Sequence, residues 1–495
     1  MKTLSEINEK IKEGNVYVVT AEEMTSLVKE LGVKEASKQV DVVTTGTFGT
    51  MCSSGVFLNF GHSDPPIKME KVWLNDVEAY TGIAAVDAYL GATQLSTKSS
   101  EYGGAHVIED LVSGKTVSLR AISQGTDCYP RKEIETELSL EDLNQAILLN
   151  PRNAYQKYNA ATNSSDEVLY TYMGMLLPNF GNVTFSGVGC LSPLSNDPEY
   201  RTIGLGTRIF LGGATGYVIG EGTQHSPENG YATLMVKGNL KEMSPKYLKA
   251  ACIQGYGVSL YVGIGIPIPI LDENLAKATS ISDEDIVTKI IDFGVPRRDK
   301  PVIKEVSYAE LKSGAVEING REVKVSSLSS LLKSREIAEK LKELIKKGEF
   351  LLSLPIESLP RKGKLKTMKQ TNGITLVRYV MSKAEIISKE TSIEDAAKMI
   401  LEKRVNHLPV VSEEGKLIGI VTSWDISKAV ALGKFGKVED IMTKKVITAS
   451  PNDPIDIAAR KLEQHEISAL PVVNERKEVI GMVTSEHLSK LLVRR

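Results

Sequence analysis

Two regimes of hydrophobic patterning divide the chain. Towards the C-terminus, Ile393, Ala396, Ala397 and Ile400 fall at helical spacing; the apolar run LPVV, a polar turn at Glu414-Gly415 and the run LIGIVT follow. The series then recurs: TSIEDAAKMI (391–400) matches NDPIDIAARKL (452–462), HLPVV matches ALPVV, and GIVTSWDI matches GMVTSEHL. Pro409 and Pro471, Gly419 and Gly481, and Thr422 and Thr484 are each 62 positions apart, so the register holds through the repeat. Each unit predicts a β-α-β-β-α order. Thr391 with Glu394 predicts a capping box; in the second unit Asp453 takes the cap and Pro454 the first helical position. A further helix starts at each Thr-Ser pair.

The first ~360 residues lack any such repeat. MKTLSEINEKIKEG is polar and helix-like, and residues 335–349, REIAEKLKELIKKGE, predict a charged amphipathic helix that ends the first domain. Between them, glycine-rich runs such as VDVVTTG, GNVTFSGVG and RIFLGGATGYVIG read as strands, whereas LNDVEAYTGIAAVDAYLG reads as helical. The expectation is a mixed α/β domain whose loops carry the site, its topology left open. With RKGKLKTMK (361–369) as a solvated linker, the domains are 1–360, a linker at 361–373, and repeat units at 374–432 and 436–495.

Composition narrows the function. Of 495 residues, 42% are apolar and 25% charged, and 60 basic against 62 acidic side chains leave a net charge of −2, which argues against a nucleic-acid partner. The longest apolar run, VSLYVGIGIPIPIL (258–271), is broken by glycine and proline and is short of a ~20-residue membrane span. Cys52, Cys128, Cys190 and Cys252 show no C-x₂-C spacing, so no metal or cluster site is expected, and the protein reads as cytoplasmic with reduced thiols. The glycines of TIGLGTRIFLGGATG (202–216) neither follow a strand as GxGxxG nor precede GK[ST], so a turn-rich sheet is expected there rather than a phosphate cradle.

One cysteine invites a chemical reading. In SQGTDCYPR (123–131), Gly125 and Pro130 set Cys128 in a loop, where Arg131 and Lys132 favour thiolate and Asp127 opposes it. A buried, inert cysteine fits these residues equally well.

A resemblance resolves that choice. TTGTFGTMCSSGVFLNFGHSDPPIKM (44–69), AYLGATQ (88–94), YGGAHVIEDL (102–111), SQGTDCYPR and GVGCLSPLSNDP (187–198) resemble the homocysteine biosynthesis family of archaea and anaerobic bacteria, whose members act as L-aspartate semialdehyde sulfurtransferases. The two repeats resemble a tandem pair of cystathionine-β-synthase (CBS) domains. The resemblance implies incorporation of sulfide into aspartate semialdehyde, with electrons from a ferredoxin-like protein and no tightly bound cofactor. It places the functional thiols at Cys52 and Cys128; the basic neighbours favour Cys128 as the persulfide carrier. His62 and His106 are candidate acids for the aldehyde oxygen, although a satisfied loop or core histidine is the commoner case. Arg131, Arg152 or Arg208 would hold the substrate carboxylate, while Cys190 and Cys252 read as structural.

The CBS resemblance implies a homodimer and one adenosyl site, for S-adenosylmethionine or an adenine nucleotide. Thr422 and Ser423 open the helix with free N–H groups, Asp425 takes the ribose, and Val405 to Pro409 lie against the base. His487 replaces the carboxylate in the second unit. The competing reading is a non-catalytic adenylate or S-adenosylmethionine sensor that binds a partner protein.

Overall fold

Thr3 and Glu6 close a capping box ahead of the helix Leu4–Glu13, and Gly14 ends it in the left-handed region at φ 75°. The computed structural model that shows this describes residues 1–153, 157–295, 300–363, 365–366 and 375–492. The chain forms two compact units, residues 1–366 and 367–495.

The first unit is mixed α/β and built on a nine-stranded sheet. Its strands run in the order Leu248–Ile253, Gly257–Gly265, Arg208–Leu211, Ala214–Glu221, Leu234–Asn239, Gln145–Asn153, Gly55–Asn59 and Asp87–Gly91, with Thr47–Thr50 also pairing on Gly257–Gly265. Gly212 and Gly213, at φ 61° and 100°, turn the hairpin between Arg208–Leu211 and Ala214–Glu221, so these glycines shape a sheet. Alternate residues of the sheet, among them Val56, Leu58, Leu90, Leu148 and Val236, enter the main apolar cluster.

A four-stranded sheet flanks it, ordered Val77–Ala79, Lys71–Leu74, Val117–Ile122 and Glu133–Leu138. Here the structure corrects the sequence reading: residues 74–91 are not helical but hold the strands Val77–Ala79 and Asp87–Gly91. Asn75 and Asp76 both adopt positive φ, 47° and 62°, and turn Lys71–Leu74 into Val77–Ala79, a hairpin signal that the apolar spacing masked.

The amphipathic helix near residue 335 spans Leu331–Lys346 and buries Ile337, Ala338, Leu341 and Ile345. It does not end the unit. Phe350 and Leu352 return to the cluster of Ile7 and Ile11, Asn8 and Leu352 exchange two hydrogen bonds of 3.0 Å, and Glu357–Ser358 pairs with Gly204–Leu205.

The second unit carries both repeats. Ile387–Ser388, His407–Val411 and Leu417–Thr422 form one sheet, and Ala469–Val473 with Val479–Thr484 the other. The helices are Ile393–Lys403, Ser423–Ala431, Ile455–Gln464 and Ser485–Leu492. The caps differ from expectation. Ser392 with Asp395 caps the first helix, because the Thr391 N–H is held by Ser388 and its carbonyl by Val438. Pro454 is the N-cap of Ile455–Gln464, since the Asp453 carboxylate instead accepts from Ser450 N and Lys461 Nζ, each at 3.0 Å.

Candidate active site around Cys52

Cys52 sits in the turn between Thr47–Thr50 and Gly55–Asn59, closed by Ser54 N donating to Met51 O at 2.9 Å. The antiparallel register of Thr50 on Tyr261 carries the turn over Ser259, and Met51 N donates to Leu260 O at 2.7 Å. The Cys52 sulfur thereby lies 3.3 Å from the hydroxyl of Ser259, a fully buried residue. From the adjoining strand, the fully buried Asn150 donates through Nδ2 to Ser54 Oγ at 2.7 Å and accepts from Ser53 Oγ at 3.4 Å. Gly55 admits no side chain, because a Cβ would collide with the Tyr89 hydroxyl.

Half-buried Cys52 opens onto a cleft of about 340 Å³ walled by Ser53, Thr93, Leu95, Tyr256, Gly257 and Val258, none of them charged. Burial raises the pKa of the Tyr256 and Tyr261 hydroxyls, and negative charge on Cys52 raises both further, so both stay protonated donors near neutrality. The Tyr261 hydroxyl is directed to Leu328 O at 2.8 Å.

His106 lies behind one wall. It is the third residue of the helix Gly104–Val112, its Nδ1 accepts from Gly103 N at 3.3 Å, and its ring stacks on Tyr102 at 5.0 Å. Burial lowers its pKa, against the pull of Glu109 and Asp110. A Cβ on Gly103 would stand 2.6 Å from Val258 Cγ2, so the helix start presses on the cleft lining.

Cys128 belongs to a second group. It is exposed, in the loop between Val117–Ile122 and Glu133–Leu138, with its sulfur 3.6 Å from Thr126 Oγ1. Gly125 takes φ 82°, and Thr126 and Tyr129 exchange backbone hydrogen bonds of 2.9 and 3.1 Å. His62 stacks on Tyr129 at 5.9 Å, while Arg131 donates through Nη2 to Asp64 O at 2.8 Å and through its backbone to Pro66 O. The structure therefore gathers Cys128, His62 and Arg131 off the C-terminal end of Gly55–Asn59, and Cys52 off its N-terminal end. That strand is roughly 14 Å long.

The remaining candidates lie elsewhere. Arg208 Nη1 donates to Leu351 O at 3.4 Å, and the Arg152 side chain falls outside the described residues. Cys190 is buried, and burial pushes its thiol up to about 12. Cys252 is not buried as a structural cysteine would be: it is exposed on Leu248–Ile253, the edge strand of the large sheet.

Around Thr422 to Asp425 the structure corrects one detail of the sequence reading. Thr422 donates to Asp425 Oδ2 from its backbone and hydroxyl at 2.9 and 2.7 Å, Asp425 N donates to Thr422 Oγ1, and Ser423 N donates to Asn406 O. The amides expected to be free are thus held in a capping box and by a strand end, leaving Asp425 Oδ1 outside the box. Val405 N donates to Ile400 O, and Pro409 is buried opposite Ile420. His487 substitutes for Asp425 in the same capping role, its Nδ1 accepting from Thr484 N at 3.1 Å. His407, which the sequence reading passed over, bonds Ser468 Oγ at 2.8 Å across the two repeats; burial lowers its pKa, and the Asp425 charge opposes this.

Known proteins share this organisation. Residues 16–352 match the family described as homocysteine biosynthesis enzyme, sulfur-incorporation, and residues 377–432 and 438–494 match the CBS domain. A protein of Methanosarcina acetivorans named L-aspartate semialdehyde sulfurtransferase is 60% identical over 496 residues, covering 100% of this chain and 99% of the relative. A protein of Methanocaldococcus jannaschii with the same name is 54% identical over 508 residues, 99% of each chain. A solved CBS domain pair in complex with 5′-methylthioadenosine and S-adenosyl-L-methionine is 47% identical, covers 24% of this chain and 97% of that one, and gives a TM-score of 0.24. A family match over most of the chain, together with end-to-end relatives, establishes that this chain belongs to the homocysteine biosynthesis, sulfur-incorporation enzymes and carries a CBS pair behind the enzyme domain.

Proposed function

We propose that the chain is an L-aspartate semialdehyde sulfurtransferase that makes homocysteine. The observation that carries this is the 60% identity to a sulfurtransferase along the whole chain. In the net reaction, sulfide adds to the aldehyde carbon and the thiohemiacetal loses water to leave C=S. Two electrons and two protons then reduce C=S to CH–SH. We assign the electrons to a separate ferredoxin-like donor, and residues 1–360 to catalysis.

Within this reading the Cys52 cleft is where carbon meets sulfur, because it is walled and uncharged and has the Tyr256 hydroxyl as a proton donor. Exposed Cys128, flanked by Arg131 and His62, takes sulfane sulfur from a persulfide or polysulfide donor and displaces that donor's thiolate. Cys52 then attacks the Cys128 Sγ, releasing sulfide for the aldehyde and leaving a Cys52–Cys128 disulfide that two further electrons from the ferredoxin-like donor reduce. Direct thiol-to-thiol transfer brings the Cys128 loop and the Cys52 turn, which leave opposite ends of a strand roughly 14 Å long, into contact. His106, held as a helix cap, is assigned a supporting role.

Residues 361–373 serve as linker, and 374–432 with 436–495 as an adenosyl-responsive module in which Asp425 Oδ1 takes the ribose. Exposed Leu401, Trp424, Val430, Leu432 and Phe435 favour homodimerisation through this module. The deciding experiment mixes the protein with aspartate semialdehyde, sulfide and a low-potential reductant and measures homocysteine by mass spectrometry. Cys52→Ser and Cys128→Ser should each abolish it, and Cys190→Ser and Cys252→Ser should not. No product from the wild-type chain would refute the assignment.

A further inference from the structure

We propose that Ser259 is a positioning residue for Cys52: its hydroxyl donates to the Cys52 thiolate and fixes the sulfur against the inner wall of the cleft. Ser259 is fully buried on Gly257–Gly265, so water does not satisfy its hydroxyl, and a buried hydroxyl without a partner is costly. The partner recorded for it among the described residues is the Cys52 sulfur, at 3.3 Å. A neutral thiol is a weak acceptor and a thiolate a strong one, so this contact gains most when Cys52 is anionic.

The cleft itself makes the donor matter. Its lining residues carry no cation, so an anion on Cys52 depends on hydroxyls and backbone N–H groups. Two features make the geometry stiff. The turn is tied to Leu260 O by Met51 N, and Asn150 holds Ser53 and Ser54, leaving Sγ little freedom to leave Ser259.

This inference rests on the proposed function only for what the thiolate later does, and its primary test needs no substrate. The full chain is alkylated with iodoacetamide at fixed pH, and the rates at Cys52, Cys128 and Cys190 are followed by mass spectrometry. Losing the hydrogen bond that positions the attacking sulfur leaves Ser259→Ala about three- to ten-fold slower at Cys52. Cys128 should be unaffected, and Ser259→Thr, which keeps the hydroxyl, should recover the rate. With substrate, Ser259→Ala should lower kcat while KM for the aldehyde stays within two-fold. An unchanged Cys52 rate in Ser259→Ala overturns the proposal; so does labelling of buried Cys190, which would assign Ser259 to stability alone. If the wild-type chain made no homocysteine, the function would fail while the alkylation rates still decided the role of Ser259.

Discussion

Replacing Asn150 by alanine tests whether the Cys52 turn is held from behind. The substitution deletes the 2.7 Å bond to Ser54 Oγ and the 3.4 Å bond from Ser53 Oγ. The short bond contributes about 1 kcal/mol, and stranding the Ser54 hydroxyl, itself 1% exposed, costs about 1–3 kcal/mol more. The turn should therefore open more easily by about 2–4 kcal/mol. At a factor of ten per ~1.4 kcal/mol, that is roughly a 30- to 700-fold rise in its open population. Hydrogen exchange read by mass spectrometry on peptides spanning residues 51–55 measures this directly, with the helix Leu331–Lys346 as an internal reference. Homocysteine formation should fall in the same variant. Exchange at residues 51–55 within two-fold of wild type would refute the claim that Asn150 braces the turn.

Three other outcomes follow from the geometry. Arg201 holds the Asp272 carboxyl at about 2 through bonds of 3.0 and 2.6 Å, so the pair stabilises the fold above about pH 4 and loses that contribution as pH falls towards 2. Asp272→Asn, which keeps the helix cap, should be less stable than wild type by at most about 2 kcal/mol at pH 7 in urea unfolding, and the gap should close in acid. Gly104→Ala should lower the melting temperature, since its Cβ would meet the Gly91 carbonyl and such overpacking costs about 1–3 kcal/mol. S-adenosylmethionine at about 100 times its dissociation constant should stabilise the wild-type module by ~2.7 kcal/mol; Asp425→Asn should shrink that thermal shift and His487→Ala should leave it.

The sequence reading succeeded where the signal was local or repeated. The 62-residue register located both CBS units, and the polar, helix-like stretch MKTLSEINEKIKEG holds the helix Leu4–Glu13. It failed where two local readings competed. Ser392-Asp395 satisfies the same cap pattern as Thr391-Glu394, and only the engagement of Thr391 with Ser388 and Val438 decides between them. Residues 74–91 offered helical spacing and an Asn-Asp turn at once, and pairing to neighbouring strands selected the turn. At the candidate site, motif resemblance reached Cys52 but not the residues that hold it. Ser259 lies 207 positions away and Asn150 lies 97 from Ser53; neither stands in a pattern that marks it. Cys252 was misread because a cysteine beside alanines resembles a core residue until its strand proves to be an edge.

The knot between Asn8 and Leu352 also bears on how the protein is born. The helix Leu4–Glu13 leaves the ribosome well before the residues that cover Ile7 and Ile11, from Ile337 to Leu352, which are made about 340 positions later. At 5–20 residues per second that delay is roughly 20–70 s, during which two isoleucines face water or a chaperone. The first unit cannot close until its last segment emerges, and pairings as distant as Thr50 with Tyr261 slow closure further. The CBS pair closes over shorter spans, among them the bridge of Ser382 to Met482 and the core that Val377 shares with Ala449 and Val472. A nascent chain stalled before Leu352 is therefore the form most exposed to aggregation and proteolysis.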